Sequence, residues 1–213
     1  MFTDATLQAL DGLRSLDMIK WYAIPLLAIV LYVYAREIKE ARKNGDWDAV
    51  FAGVTLFGAD FLNETVNGWI MHLSGRSALW TTPGDTALRV MVGWNIEIIF
   101  MFLIAGIIYY HSLSENRTRV EMWAWAVAFA AFCVFVECLL NMGGHLVWEY
   151  PFWERTFAGV WLIFFFGYFA FFCWIILVIT RTTLKAKLAI VGGLYAVPTI
   201  MNILALGLLG WRY

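Results

Sequence analysis

The chain has 213 residues, 62% of them hydrophobic and 18% aromatic, against the roughly 45–50% apolar content of a soluble domain. Fifteen basic and sixteen acidic residues nearly cancel to a net charge of -1, which excludes the basic footprint of a nucleic-acid-binding protein. These values define an all-α integral membrane protein, read as one transmembrane domain over residues 1–213.

Residues 3–17 place Leu7, Leu10, Leu13 and Leu16 at steps of three behind a Thr3-Asp4 start suited to capping, which predicts a short interfacial helix. The first eighteen residues are polar and acidic, without the basic start and apolar run of a cleavable signal, so the first spanning helix is expected to direct insertion. That span covers about 19–34, with Trp21 and Tyr22 at one end and Tyr32 and Tyr34 at the other, as in the aromatic belts of bilayer interfaces. Further spans are expected over about 47–72, 90–110, 122–143, 157–180 and 184–209, the last kinked at Pro198. The result is a six-helix transmembrane bundle with no internal repeat in evidence and no room for a soluble domain. Nine Lys and Arg residues lie in the connections after the first, third and fifth spans and six on the opposite side, so both termini are expected outside the cytoplasm.

Four polar residues interrupt the second span. Asp60, Asn63, Glu64 and Asn67 fall within about 100° of one another on a helix. Counting from the outer ends of their helices sets Glu64, Glu97 and Glu137 at one depth, about 12 Å below the surface. Asn67, Asn95, Asn141 and Asn202 fall at that depth or nearer the outside, and Asp60 one turn deeper. Polar groups facing hydrocarbon are costly, so these faces are expected to converge on a cavity opening outward. For the asparagines, ordinary interhelical hydrogen bonding is the alternative. It does not account for the acids, which share their spans with no Lys or Arg. Like charges crowded at low dielectric cannot all ionise, so the cluster is either an acid/base site or a cation site at Glu64, Glu97 and Glu137.

Two loops mix aromatics, acids and a proline, Trp80 to Asp85 and Trp148 to Arg155, and would cover the cavity mouth. Trp80, Phe152 and Trp153 fit an interfacial belt equally well. His145 is a candidate for proton transfer or metal binding as well as a structural hydrogen-bonding role, with Glu149 four residues on. His72 and His111 are expected at the interface. Cys133, Cys138 and Cys173 form no Cys-x-x-Cys pair and are read as packing residues. The sequence offers no paired haem ligands or histidine-box iron site, no Lys in the last helix for a retinal Schiff base, and no obvious nucleophile and base pair. No cofactor is expected beyond a candidate divalent cation.

Asn63-Glu64 with Gly68-Trp69 on the second helix, Trp94-Asn95-Ile96-Glu97 on the third, Glu137 on the fourth and an aromatic-rich fifth helix resemble a pattern in two groups of membrane enzymes. These are the emopamil-binding-protein bundle of sterol isomerases and the small membrane-bound terpene cyclases. The resemblance covers helices two to five, and the chain departs from the cyclases in having no acid on its last helix. It implies that acids in an aromatic-walled pocket protonate an alkene or epoxide while aromatic faces stabilise the cation. The expectation is therefore a multi-pass isomerase, cyclase or hydratase acting on an apolar substrate, isoprenoid in class, taken from the outer leaflet. Glu64, Glu97, Glu137 and Asp60 would be its acid/base residues. Asn63, Asn67, Trp94, Asn95, Asn141, His145, Trp148, Glu149, Tyr168 and Asn202 would contact the substrate. A carboxylate-based carrier or channel for protons or cations is the alternative, weakened by the lack of a polar path through the cytoplasmic half. A non-catalytic lipid-binding or assembly subunit is a third.

Overall fold

The computed structural model describes residues 1–16 and 19–213; Asp17, the last residue of the expected interfacial helix, and Met18 lie outside the described residues. The chain is mostly helical. Its helices are α1 (Asp4–Asp11), α2 (Ala23–Asn44), α3 (Asp48–Ser74), α4 (Ile96–His111), α5 (Arg119–Met142), α6 (Phe157–Ile179) and α7 (Leu184–Leu208). Among the described residues four short strands, β1 (Trp80–Thr81), β2 (Arg89–Met91), β3 (Trp94–Asn95) and β4 (Val147–Trp148), lie in the connections on one side of the bundle.

Among the described residues three helices, α5, α6 and α7, are long and apolar enough to cross a membrane. They turn large apolar side chains outward, among them Phe132, Phe135, Phe166, Ile203 and Leu208, as helices that meet lipid do. The others differ for separate reasons. α4 is apolar but only 16 residues long. α2, at 22 residues, carries a run of charges through its second half from Arg36 to Lys43. α3, at 27 residues, reaches about 40 Å and is the central element, packed against α2, α4, α6 and α7. Because protein rather than lipid surrounds it, α3 can carry acids on a buried face.

Capping explains where several helices begin. Thr3 Oγ1 accepts from the Thr6 N–H at the start of α1, and Thr118 with Glu121 forms a reciprocal capping box on α5. α3 ends at Gly75, whose φ of 61° lies in the left-handed region that glycine adopts without strain. The helix expected from about 90 begins instead at Ile96, since residues 89–95 form the β2–β3 hairpin. Asn95 is its N-cap, accepting from the Ile98 N–H at 2.9 Å. Pro198 lies inside α7, and both α6 and α7 contain a wider π-helical stretch, Ile163–Phe169 and Ile203–Leu208.

At the N-terminal end of α3, Asp48 is buried between Arg117 of the α4–α5 connection, at 3.0 Å, and Lys187 of α7. One carboxylate thus ties three elements together. Asp48→Asn removes its charge and leaves two cations facing each other. The expected loss is about 2 kcal/mol, less than the 3–5 of a fully buried pair because Arg117 is about one-quarter exposed. Denaturant unfolding in detergent measures it; an unchanged midpoint would show the cluster to be dispensable.

Candidate functional site

Asp60, Glu64 and Asn67 stand four and three residues apart on α3, so they form one stripe along its buried face. Opposite them, α5 supplies Glu137. The three acids are almost sealed from the surface, at 4%, 3% and 6% exposure for Asp60, Glu64 and Glu137. Together with Asn63, Trp80, Trp153 and Tyr168 they line a cavity of about 40 Å³. Such a space holds about one water molecule. Phe102 and Phe171 add further aromatic wall.

Each acid is held by a tryptophan. Trp94 Nε1 donates to Asp60 Oδ2 at 2.7 Å, Trp80 Nε1 to Glu64 Oε1 at 2.7 Å, and Trp148 Nε1 to Glu137 Oε1 at 2.9 Å. An indole N–H only donates, so it orients one carboxyl oxygen without competing for the acid's proton. The strands place these indoles. β1 and β4 pair antiparallel with Trp80 directly opposite Trp148, which sends both side chains to one face of the ribbon. The β2–β3 hairpin supplies Trp94, which also stacks on Phe57 and Phe61 of α3.

Asn67 fixes the ribbon to α3. Its Nδ2 donates to the Trp80 carbonyl at 2.8 Å and its Oδ1 accepts from the Leu79 N–H at 2.7 Å. Buried Arg89 braces the same lobe, with Nε donating to the Thr82 carbonyl at 2.9 Å and Nη2 to the Gly84 carbonyl at 2.6 Å. At the edge of the lobe Lys20 donates to Asp85 and so holds that carboxyl below the usual carboxylate range.

Two fully buried polar atoms of cavity residues have no hydrogen-bond partner among the described residues, Glu64 Oε2 and Trp153 Nε1. One accepts and the other donates. The indole of Trp153 stacks on Trp80 with ring centres 5.7 Å apart, beside the Trp80–Glu64 hydrogen bond. On the far wall, the π-helical part of α6 sets Gly167 and Tyr168 against the acids. Local π-helical widening of this kind occurs often at functional sites.

The remaining expected site residues stand elsewhere. Glu97, in the first turn of α4, lies outside the acid cavity. Its carboxylate accepts from Tyr22 Oη at 2.6 Å, Thr86 Oγ1 at 2.5 Å and the Ala87 N–H at 2.9 Å, so it joins the start of α2 to the lid. Asn141 donates to the Leu146 carbonyl, and Asn202 donates to Thr65 Oγ1 while accepting from Tyr213 Oη. Glu149 accepts from Thr3 Oγ1, and His145 lies beside Gly84 and Gly143. Asn202 thus joins α7 to α3, and Glu149 joins the loop after β4 to the start of α1. Among the described residues no group of three or more His, Cys, Asp or Glu is placed to hold a metal ion. Glu97 is engaged by its own three donors and lines, with Glu137, the cavity that adjoins the acid cavity.

The sequence reading left Trp80 and Trp153 open between lid and interfacial belt and did not single out Gly93. In the structure Gly93 lies against both Glu64 Oε2 and Trp80 Nε1. The available signal was the demand of buried acids for donors, which donor-only indoles in otherwise apolar loops can meet.

A mostly helical chain with helices able to span a bilayer and an internal carboxylate cavity is a membrane protein with a buried polar site. It belongs to a family described as an uncharacterized membrane protein family, whose model matches residues 3–207 and so takes in the lid as well as the bundle. It is similar to an uncharacterized protein of Archaeoglobus fulgidus, 36% identical over 217 residues that cover 99% of this chain and 100% of that one. No solved structure matches the chain.

Proposed function

We propose that the protein is an intramembrane acid/base enzyme of the isomerase, cyclase or hydratase type, acting on an apolar substrate of isoprenoid class. The observation that carries this reading is the convergence of Asp60, Glu64 and Glu137 on one small cavity, each with a carboxyl oxygen held by an indole. Six passes with both termini outside the cytoplasm complete the proposal. Under it, α2, α3 and α4 cross the bilayer shielded by α5, α6 and α7, and the lid faces outward.

In the simplest such reaction, a carboxyl O–H gives its proton to one carbon of an alkene, and the π pair becomes the new C–H bond. The neighbouring carbon is left as a carbocation. A second carboxylate removes a proton from the next carbon, and that C–H pair becomes the shifted double bond. The faces of Trp80, Phe102, Trp153, Tyr168 and Phe171 suit the cation between these steps. The catalytic acids in this proposal are Asp60, Glu64 and Glu137, with Glu97 assigned to positioning the lid. A carrier would need polar groups continuing from Asp60 toward Asp48. Along that stretch α3 instead buries Phe51, Ala52, Leu56 and Ala59, with Thr55 as an isolated hydroxyl.

Proton delivery to carbon leaves an isotopic record. Purified protein in lipid nanodiscs and D₂O, given a panel of polyprenyl alkenes, is expected to place deuterium on carbon. Glu64→Gln and Glu137→Gln are expected to stay folded by circular dichroism and to lose that incorporation. Unaltered incorporation in both variants would sink the proposal.

A further inference from the structure

The acid cavity is the inner end of a longer space. It adjoins an apolar cavity of about 200 Å³ between α4 and α5, with Phe102, Glu137 and Tyr168 lining both. That cavity adjoins a third, of about 400 Å³, through Glu97, Met101, Phe102, Phe132 and Cys133, with Leu26, Ile29 and Val30 of α2 in its wall; the Glu97 carboxylate is taken up by its own three donors. For comparison, an apolar cavity of about 150 Å³ takes up benzene. The outer end meets the apolar surface of the bundle, with Phe132 63% and Met101 44% exposed. A hydrocarbon chain can therefore lie between α4 and α5 with one end beside Glu137 and the other in the bilayer.

The inner end selects the polar group. It has room for about one water-sized group, and among its lining residues Glu64 Oε2, an acceptor, and Trp153 Nε1, a donor, are fully buried without a hydrogen-bond partner among the described residues. A hydroxyl satisfies both, accepting from the indole and donating to the carboxyl oxygen. An alkane or alkene end would leave both unpaired at a cost. A phosphate or carboxylate head is too large and would add negative charge beside three acids. An ammonium has no lone pair for the Trp153 N–H.

We infer that the cavity binds a long-chain lipid alcohol, its hydroxyl between Glu64 Oε2 and Trp153 Nε1 and its chain leaving sideways between α4 and α5. This rests on the acid/base reading above for its chemistry but not for its binding. The test is photolabelling in nanodiscs with a long-chain alcohol bearing a diazirine in its chain. Cross-links are expected in α4 around Ile98 to Phe102 and in α5 around Phe132 to Leu140. Unlabelled alcohol should remove them several-fold better than the matched alkane. Cys133→Trp, which fills the passage, and Trp153→Phe, which keeps a ring but removes the donor, should each weaken labelling several-fold. Labelling spread evenly over the lipid-facing helices, or equal competition by the alkane, would overturn the inference. Labelling of the α4–α5 passage together with unaltered deuterium transfer in the glutamate variants would uphold the alcohol site and overturn the acid/base reading alone.

Discussion

Gly106→Val is expected to lower stability by at least about 3 kcal/mol, because it forces apart two backbones that touch. A Cβ at Gly106 would collide with the Ala52 carbonyl and lie 2.8 Å from the Cα of Gly53. Both neighbours are main chain, so no rotamer change relieves the clash. The close approach of α3 and α4 through Gly53 and Gly106 is the kind of small-residue contact that lets membrane helices associate without a hydrophobic drive between them. Displacing α4 also moves Ile98 and Phe102, which line the acid cavity, and Glu97, which anchors the lid. Chemical denaturation in a mild detergent, followed by tryptophan fluorescence, measures the loss. A wild-type midpoint in Gly106→Val would show that the two helices do not depend on this contact. Gly106→Ala should fall between, since it adds one carbon to the same clash.

The three apolar helices could be read from composition because nothing in them competes with a spanning pattern. The start of α4 could not. Val90, Met91 and Val92 read as the beginning of a span, and a short apolar run does not distinguish a buried strand from a helix. The chain uses them in the β2–β3 hairpin, so the depth assigned to Glu97 by counting along a continuous helix does not hold. Asp60, Glu64 and Glu137 are legible on energetic rather than geometric grounds, since an acid inside a bundle must find donors, and they do line one cavity. Which donors Glu64 and Glu137 find depends on the register of β1 against β4, a pairing between segments far apart in sequence. Local pattern carries no information about it. Nor does any residue in Ile163–Phe169 announce the π-helical turn that carries Tyr168 to the acids.

Gly93→Ala is expected to abolish deuterium transfer as fully as Glu64→Gln while costing only about 1–3 kcal/mol of stability. The added methyl would sit 2.6 Å from Glu64 Oε2 and 2.6 Å from Trp80 Nε1. Those atoms belong to the partners of the 2.7 Å hydrogen bond that orients Glu64, so the methyl must displace the carboxyl, the indole or both. Trp80 cannot yield freely, because its ring stacks on Trp153 and its backbone is held by Asn67. Glu64 is then the group that turns, and Oε2 leaves the position it holds beside Gly93. Backbone strain is not the cause, since Gly93 is not among the residues with positive φ. Gly192→Ala on α7, where a Cβ meets nothing within 4 Å, is the matched control and should leave transfer unchanged without lowering stability. If Gly93→Ala retained wild-type transfer, Oε2 would not need its observed position, and the case for Glu64 as the proton-handling acid would pass to Asp60 and Glu137.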